Sequence, residues 1–279
     1  MIIPTYTDSE FVARVRAAMQ QTGQVTHWWL GQSGYLIHYD GVCVAVDPYL
    51  SDSLTTKYAQ TDKPHVRISA RVVDPALLSM VSLVTSSHNH TDHLDAETFH
   101  AIQKANPQVT LACGAANVHF AATRMGLAPA AVIGLTEGQP YRDGPFTVHT
   151  VPAAHNELTR DAHGHPVAIG LVIEVGGRVI YHSGDTLRYE GMVDFLRRWQ
   201  IDVAVLPING HDPARGVAAN LSATEAAQLA ADIDARHVIP CHYDLFAFNT
   251  ADPIPFVRAA APRAQLLELG ESFSLDARS

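Results

Sequence analysis

The sequence predicts an α/β protein, a sandwich of two mixed β-sheets with helices on the outer faces. Strand-like and helical segments alternate in two successive halves of the 279-residue chain, and each half opens with strands joined by tight turns. The chain is 47% hydrophobic, which is enough for a large buried core. Because the two halves repeat the same order, we expect two similar layers that pack through their sheets. Residues 1–279 are predicted to form one domain.

The first half begins with an amphipathic helix over residues 9–20. Its predicted buried face consists of Phe11, Val12, Val15 and Met19. Strands are predicted at Val25–Leu30, Tyr35–Tyr39 and Val42–Val46. The pair Asp40-Gly41 between the last two is typical of a β-hairpin turn. Strands and helices then alternate, at residues 82–86, 95–105, 109–113 and 115–125.

The second half returns to strands, with Gly176-Gly177 as another hairpin turn. Its predicted elements are strands at Phe146–Val151, Ala168–Val175 and Arg178–His182, a helix near residues 188–199, a strand at Val203–Leu206, a helix from Ser222 and a strand at His237–Pro240. A helix and further strands are predicted to complete the chain. Residues 51–75 are polar and are expected to form a loop or lid near the site, and residues 156–167 are expected to form a loop.

Charge and composition exclude several classes of function. The formal net charge is −9, from 19 basic and 28 acidic residues, and no basic cluster stands out, so nucleic-acid binding is not expected. No apolar run approaches the roughly 20 residues that span a bilayer, so no membrane partner is expected. The three cysteines are far apart, and no secretory signal is recognisable, which favours a cytoplasmic protein. A small-molecule substrate is expected, and homo-oligomer formation is left open.

The most informative segment is a loop with four potential metal ligands within six positions. They are His88, His90, Asp92 and His93. Neutral imidazoles bind transition metals, and three imidazoles with a carboxylate would be costly to bury without partners. Their spacing does not suit one face of a helix, but a loop that leaves a strand can direct them to one point. We therefore favour a metal site over a polar surface loop.

Three downstream residues also follow predicted strands. His155 follows the strand that ends at Val151, Asp185 follows the strand that ends at His182, and His242 follows the strand that ends at Pro240. Each alone could be an ordinary turn residue. Because strand ends meet at one edge of a sheet, the three together are expected to complete the metal site.

The pattern His-x-His-x-Asp-His over residues 88–93 is the signature of the metallo-β-lactamase superfamily, and the chain resembles hydrolases with that fold. Longer stretches are similar to the L-ascorbate-6-phosphate lactonase group. These stretches are Trp28–Gly31 with Gly34, Tyr181–Asp185, Ile201–Ala204, Val238–Pro240, His242, Asp244, Asn249 and Ala251–Pro253. The chain departs from that group by being shorter between the strand near Val151 and Asp185.

The resemblance implies an αβ/βα sandwich that binds two divalent metal ions, Mn²⁺ or Zn²⁺. The resemblance assigns one ion to His88, His90 and His155, and the other to Asp92, His93 and His242, with Asp185 as the bridge. It further implies catalytic roles for Asp92 and Asp185. The implied reaction is hydrolysis of a lactone or ester by a metal-bound hydroxide, with a phosphorylated sugar lactone as one candidate substrate. The alternatives are a small-molecule phosphodiesterase and a non-catalytic metal-binding relative.

Substrate contacts are predicted in a loop that leaves another strand at the same edge. Asn209, His211 and Arg215 could hold an anionic or hydroxylated group, and a guanidinium suits phosphate or carboxylate. The alternative is a Gly/Pro loop without a ligand. Tyr243 is predicted either to donate to a developing oxyanion or to pack in the core. Asp47 could orient a ligand histidine or simply form a turn with Pro48.

Overall fold

The computed structural model describes residues 1–278 and confirms the predicted sandwich of two mixed sheets. Buried apolar side chains from both sheets form one core. Gly114 in the first sheet and Ile169 in the second show how closely the sheets pack, because a Cβ atom at Gly114 would lie 3.3 Å from a methyl carbon of Ile169. None of the helices between residues 1 and 278 is long and apolar enough to cross a bilayer.

The first sheet has seven strands within the described chain, in the order β13-β1-β2-β3-β4-β5-β6. The strands are β1 (Gln24–Gly31), β2 (Gly34–Tyr39), β3 (Val42–Val46), β4 (Val81–Ser86), β5 (Thr110–Gly114), β6 (Val132–Leu135) and β13 (Ser272–Asp276). Strands β13, β1, β2 and β3 are antiparallel, and β3 to β6 are parallel. Asp40 and Gly41 both have positive φ, as the predicted hairpin turn requires.

The second sheet has six strands in the described residues, in the order β12-β11-β10-β9-β8-β7. The strands are β7 (Tyr141–Asp143), β8 (Phe146–Ala153), β9 (Ala168–Val175), β10 (Arg178–His182), β11 (Val203–Pro207) and β12 (His237–Cys241). Strands β10, β11 and β12 are parallel, whereas β7 to β10 are antiparallel. The parallel strands therefore deliver their carboxyl ends to a common edge.

The helices lie between and beside the strands. They are α1 (Asp8–Met19), α2 (Ser53–Tyr58), α3 (Ala96–Ala105), α4 (Val118–Met125), α5 (Met192–Leu196), α6 (Ala223–Asp232) and α7 (Ile254–Ala260). Asp95 caps α3 by accepting a hydrogen bond from the amide of Thr98 at 3.1 Å. Ser222 and Glu225 form the predicted capping box at the start of α6.

The structure differs from the sequence prediction in its shortest elements. Strands β6 and β7 and helix α2 were not predicted, because three to six residues carry too little periodicity to identify an element. Helix α5 covers only Met192–Leu196 of the helix predicted near residues 188–199. Residues 51–75 contain α2 and a loop that lines a cavity next to His90 and Asp92.

Candidate metal centre

The loop between β4 and α3 carries the four consecutive predicted ligands, and it is fixed by hydrogen bonds at both ends. The hydroxyl of Ser86 donates to the carbonyl of His88 at 2.8 Å, and the amide of Leu94 donates to the carbonyl of His90 at 2.8 Å. Arg124 of α4 donates from Nη1 to the carbonyls of Asn89 and Leu94. These bonds hold a short irregular segment in one conformation, so its side chains can converge.

The three downstream residues reach the same point from the ends of β8, β10 and β12. The close approach of the sheets requires a glycine before Asp185. A Cβ atom at Gly184 would lie 2.7 Å from the carbonyl oxygen of Ile169 and 2.7 Å from Cβ of Ser87, and its φ is +58°. His242 has a φ of +63°, a conformation that is costly for a residue with a side chain. Its amide donates to the carbonyl of Gln32 at 3.0 Å, which helps to hold the turn.

The structure brings all seven predicted ligands into one cluster of three overlapping groups. Within each group the donor atoms lie within 4.8 Å of one another. The groups are His88, His90 and His155; His88, His93 and Asp185; and Asp92, His93 and His242. Two of the groups have the same members as the two ligand sets that the family resemblance implies, and the remaining group combines one histidine of each set with Asp185.

Asp185 lies between the two histidine sets. Its Oδ1 is 3.3 Å from Nε2 of His93, and its Oδ2 is 3.2 Å from Nε2 of His242 and 3.8 Å from Nε2 of His155. One carboxylate is thus close to donors from both sets. This position suits a bridging ligand.

Several buried atoms in the cluster lack a hydrogen-bond partner within residues 1–278. They are Nε2 of His88, together with Nε2 of His93 and Oδ1 of Asp185, which lie 3.3 Å apart but not in the geometry of a hydrogen bond. An unpartnered buried polar atom costs about 1–3 kcal/mol, so three together would be a substantial penalty. Imidazole nitrogen and carboxylate oxygen are common ligands of zinc and also suit manganese and iron. The residues therefore fit a bound metal.

The electrostatics of the cluster also favour metal binding. Burial lowers the pKa of His88, His90 and His155, so these imidazoles stay neutral with a lone pair to offer. Burial opposes charge on His93 and His242 as well, but nearby carboxylates, Asp185 foremost, raise the pKa of both. Negative potential from the carboxylates therefore favours a cation at this end of the cluster.

Asp47 orients one of the candidate ligands. It is fully buried at the end of β3, and its Oδ2 accepts a hydrogen bond from Nδ1 of His93 at 2.6 Å. Ser87 holds the carboxylate in turn, through its amide at 2.7 Å and its hydroxyl at 2.5 Å. Nε2 of His93 is thereby left to face the cluster. Of the two roles considered for Asp47, the structure shows the orienting one.

Gln32 was missed by the sequence analysis and lies inside the cluster. Its Nε2 donates to Oδ2 of Asp92 at 3.0 Å and is 3.1 Å from Nε2 of His242. The side chain is fully buried and the φ is +49°, in a tight turn between β1 and β2. The one feature of the sequence that could have indicated this role is that Gln32 is a polar residue at a strand end, between Gly31 and Gly34.

The loop after β11 has contacts that differ from those predicted. Arg215 donates from Nη1 to Oδ1 of Asn249 at 2.9 Å and from Nη2 to the carbonyl of Asn209 at 2.6 Å. Nδ2 of Asn209 donates to Oδ1 of Asn249 at 3.0 Å, and Oδ1 of Asn209 accepts from Nδ2 of Asn220 at 3.1 Å. His211 is exposed. Asn209 and Arg215 thus have partners within the protein, and this loop contributes Gly216 to Ala218 to the cavity wall instead.

Tyr243 packs in the core, which was the alternative to a role as donor to an oxyanion. The side chain is only 2% exposed, and its ring centroid lies 4.8 Å from that of Trp29. Burial raises the pKa of its hydroxyl group. The residue belongs to the main core rather than to the lining of the cavity.

A cavity of about 450 Å³ opens onto the cluster. His90, Asp92, His155, Asp185 and His242 form part of its wall. Aromatic side chains line another part, namely Tyr58, His65, Phe246 and Phe248. Three cationic side chains also line it, namely Lys57, Lys63 and Arg124. The volume suits a small molecule.

Comparisons with known proteins agree with this geometry. The family model of the beta-lactamase superfamily domain matches residues 44–243. A UPF0173 metal-dependent hydrolase of Caldivirga maquilingensis is 30% identical over 229 residues, which are 82% of this chain and 86% of the relative.

Two solved structures share the fold. The metallo hydrolase Igni18 of Ignicoccus hospitalis has a TM-score of 0.66 at 22% identity, with 91% of this chain and 100% of the other covered. An isothiocyanate hydrolase from Delia radicum gut bacteria has a TM-score of 0.71 at 19% identity, with the same coverage.

Proposed function

Because the chain belongs to the metallo-β-lactamase superfamily and to the UPF0173 metal-dependent hydrolases, we propose that it hydrolyses a lactone or ester bond in a small substrate. The observation that carries the proposal is the cluster of five imidazoles and two carboxylates at the base of an open cavity. The cysteine nearest to it, Cys241, is fully buried, and burial raises the pKa of its thiol, so it is a poor nucleophile.

We assign His88, His90 and His155 to one divalent ion and Asp92, His93 and His242 to a second, with Asp185 shared. Mn²⁺ and Zn²⁺ both suit this mixture of nitrogen and oxygen donors. Two such ions, when bound, lower the pKa of a water molecule and polarise the oxygen of the bond under attack. Asp47 fixes the ring of His93 through its 2.6 Å hydrogen bond. Gln32 holds Asp92 by donating at 3.0 Å.

Asp92 has a second role in the proposed reaction. Hydrolysis produces a proton that must leave the site, and Asp92 is only partly buried and lines the cavity. It is therefore the best-placed carboxylate to accept that proton and pass it to solvent. Asp185 is 3% exposed and lies between the two histidine sets, so we assign it to metal binding.

An anionic substrate fits the charge of the cavity wall. Lys57, Lys63 and Arg124 line the cavity, and beyond the two carboxylates assigned to metal binding the lining drawn from residues 1–278 contains one further acidic residue, Asp62. Arg124 already uses Nη1 to hold the ligand loop, and Nζ of Lys63 donates to the carbonyl of Arg215. Lys57 is exposed and can approach an anionic group of the substrate. A phosphorylated sugar lactone is one member of this class.

A small phosphodiester is the second candidate substrate, because the same cations suit a phosphate group. The two candidates are separated by a hydrolysis screen. Protein stripped with a chelator is reloaded with Mn²⁺ or Zn²⁺ and supplied with lactones, thioesters and phosphodiesters. We expect lactones to be hydrolysed, Asp185→Asn to remove most of the activity and Cys241→Ser to retain it. Turnover of phosphodiesters alone would favour the second candidate, and turnover of none by either metal form would contradict the proposal.

A further inference from the structure

One side of the cavity is built from stacked aromatic rings, which we call the aromatic wall and define as Tyr58, His65, Phe246 and Phe248. The rings of Tyr58 and His65 are stacked, with centroids 4.2 Å apart and planes 24° from parallel. The ring of His65 also meets Phe248 edge-on at 4.6 Å and Phe246 edge-on at 5.1 Å. All four line the cavity, where Tyr58, His65 and Phe248 are partly exposed and Phe246 is only 2% exposed.

The aromatic wall is supported by its own small core, separate from the main one. Phe246 packs with Tyr49, Leu54 and Leu245 in a buried cluster, and Tyr58 and Phe248 pack against that cluster. The Tyr49 hydroxyl accepts a hydrogen bond from the amide of Leu54 at 2.9 Å, which ties α2 to this core.

Backbone hydrogen bonds join the two chain segments that carry the wall. The amide of Ile68 donates to the carbonyl of Leu245 at 2.9 Å, and the amide of Ala247 donates to the carbonyl of Val66 at 2.9 Å. The wall is therefore held in place before any ligand binds, and a ligand would lose little free energy in ordering it.

The wall faces the same cavity as the metal cluster. Phe246 follows the candidate ligand His242 by four residues, and both line the cavity with Asp92 and Gln32. Most of the surface of this wall is aromatic carbon, so it offers few hydrogen-bond partners to a polar group that faces it. A flat apolar group, in contrast, gains both burial and ring stacking there.

We propose that the aromatic wall is a specificity pocket for an aryl or similarly flat apolar group of the substrate, positioned next to the bond that is hydrolysed. The inference rests on the proposed function for the identity of that bond, but not for the binding of the apolar group. It narrows the substrate class from any small ester or lactone to one that carries such a group.

Direct binding tests the proposal without turnover. Calorimetry on the metal-loaded protein compares 4-phenylbutanoate with butanoate, which share a carboxylate and differ by one phenyl ring. We expect the phenyl compound to bind at least about tenfold more tightly, as burial of one ring against aromatic side chains allows. Phe248→Ala should remove most of this difference and leave butanoate unchanged. Phe248→Leu, which keeps apolar volume without a flat ring, should remove part of it.

Phe195→Ala is the matched control, because Phe195 is a partly buried aromatic residue that lines a separate groove beside Trp199. It should leave the affinity ratio of the two acids as in the wild type. Equal affinity of the two acids for the wild type, or equal loss for both in Phe248→Ala, would overturn the specificity pocket.

Hydrolysis of γ-butyrolactone and of its γ-phenyl derivative separates this inference from the proposed function. We expect a lower KM for the phenyl derivative and loss of that preference in Phe248→Ala. Turnover of both lactones with the same KM would overturn the pocket and leave the hydrolase intact. Phenyl-dependent binding without turnover of either lactone would support the pocket and count against the lactone bond as the target.

Discussion

Oδ2 of Asp47 lies 2.6 Å from Nδ1 of His93, and both side chains are fully buried. The two residues come from neighbouring parallel strands, since Asp47 follows β3 and His93 lies in the loop after β4. A hydrogen bond from Nδ1 fixes the tautomer and the orientation of the ring, and it makes Nε2 a stronger ligand. The bond thus links the packing of the first sheet directly to the candidate metal centre.

Asp47→Asn should weaken metal binding more than it weakens the fold. The amide is nearly isosteric, but it lacks the negative charge that orients and polarises His93. We expect metal affinity to fall about 10- to 100-fold, as is usual when such a supporting carboxylate is lost. Competition with a chelator of known affinity measures the change.

Asp202→Asn provides the matched control, because Asp202 is equally buried but pairs with Arg178 and Arg278 away from the cluster. It should lower the free energy of unfolding and leave the metal affinity unchanged. A similar loss of metal affinity in both variants would mean that Asp47 acts through general stability.

Asp185→Asn should remove one metal ion and most activity while the protein remains folded. A carboxylate between two cations compensates charge on both, and an amide does not. We expect the metal content to fall from about two ions to about one, with an unchanged far-ultraviolet circular dichroism spectrum. Elemental analysis after gel filtration gives the stoichiometry. Near-full turnover with two retained ions would show that Asp185 is not shared.

Gln32→Ala should selectively lower the affinity for the metal ion assigned to Asp92, His93 and His242. The amide of Gln32 donates to Asp92 and contacts His242, so its removal frees both side chains to move. We expect biphasic metal titrations in which only one of the two phases shifts. Gln228→Ala on the exposed part of α6 is the control and should leave both phases in place. A uniform shift of both phases would contradict a selective role.

The sequence analysis predicted the fold well because the longer elements have clear periodicity. Strands β3, β9 and β10 begin and end where predicted, and the capping box at Ser222 marks the start of α6. The short strands β6 and β7 lack such a signal. Spacing alone predicts the four candidate ligands within residues 88–93, whereas the prediction of His155, Asp185 and His242 also needed the order of strand ends.

The substrate-binding part of the site was harder to predict from the sequence. The sequence analysis predicted that Arg215 binds an anion, but in the structure Arg215 donates hydrogen bonds to Asn209 and Asn249. These bonds depend on how two loops that are distant in sequence meet in space. The aromatic wall was not predicted for the same reason. Tyr58 and His65 lie in a polar segment without periodicity, and they meet Phe246 and Phe248 only through tertiary packing.

Arg215→Ala should reduce stability without affecting charge selectivity. The variant loses the bonds to the Asn209 carbonyl and the Asn249 side chain, which should lower the free energy of unfolding by about 1–3 kcal/mol. KM should change by the same factor for an anionic substrate and its neutral analogue. Arg16→Ala, on the exposed side of α1, should leave both stability and KM near wild type. A rise in KM confined to the anionic substrate would show that Arg215 reaches the substrate after all.

His27→Gln should make stability less sensitive to acid. His27 lies on β1 against Phe273, and burial lowers the pKa of its imidazole to about 4, although its bond to the Phe273 carbonyl acts in the opposite direction. In the unfolded chain His27 therefore binds a proton near pH 6.5, whereas in the folded protein it binds one only near pH 4. Stability from this residue is complete above pH 6.5 and is lost as the pH falls towards 4, by about 3 kcal/mol at about 1.4 kcal/mol per pH unit. Urea unfolding at pH 7 and pH 4.5 should show a smaller loss in His27→Gln than in the wild type or in His119→Gln, whose histidine is exposed on α4. Equal losses in all three proteins would mean that His27 is protonated in the folded state at pH 4.5.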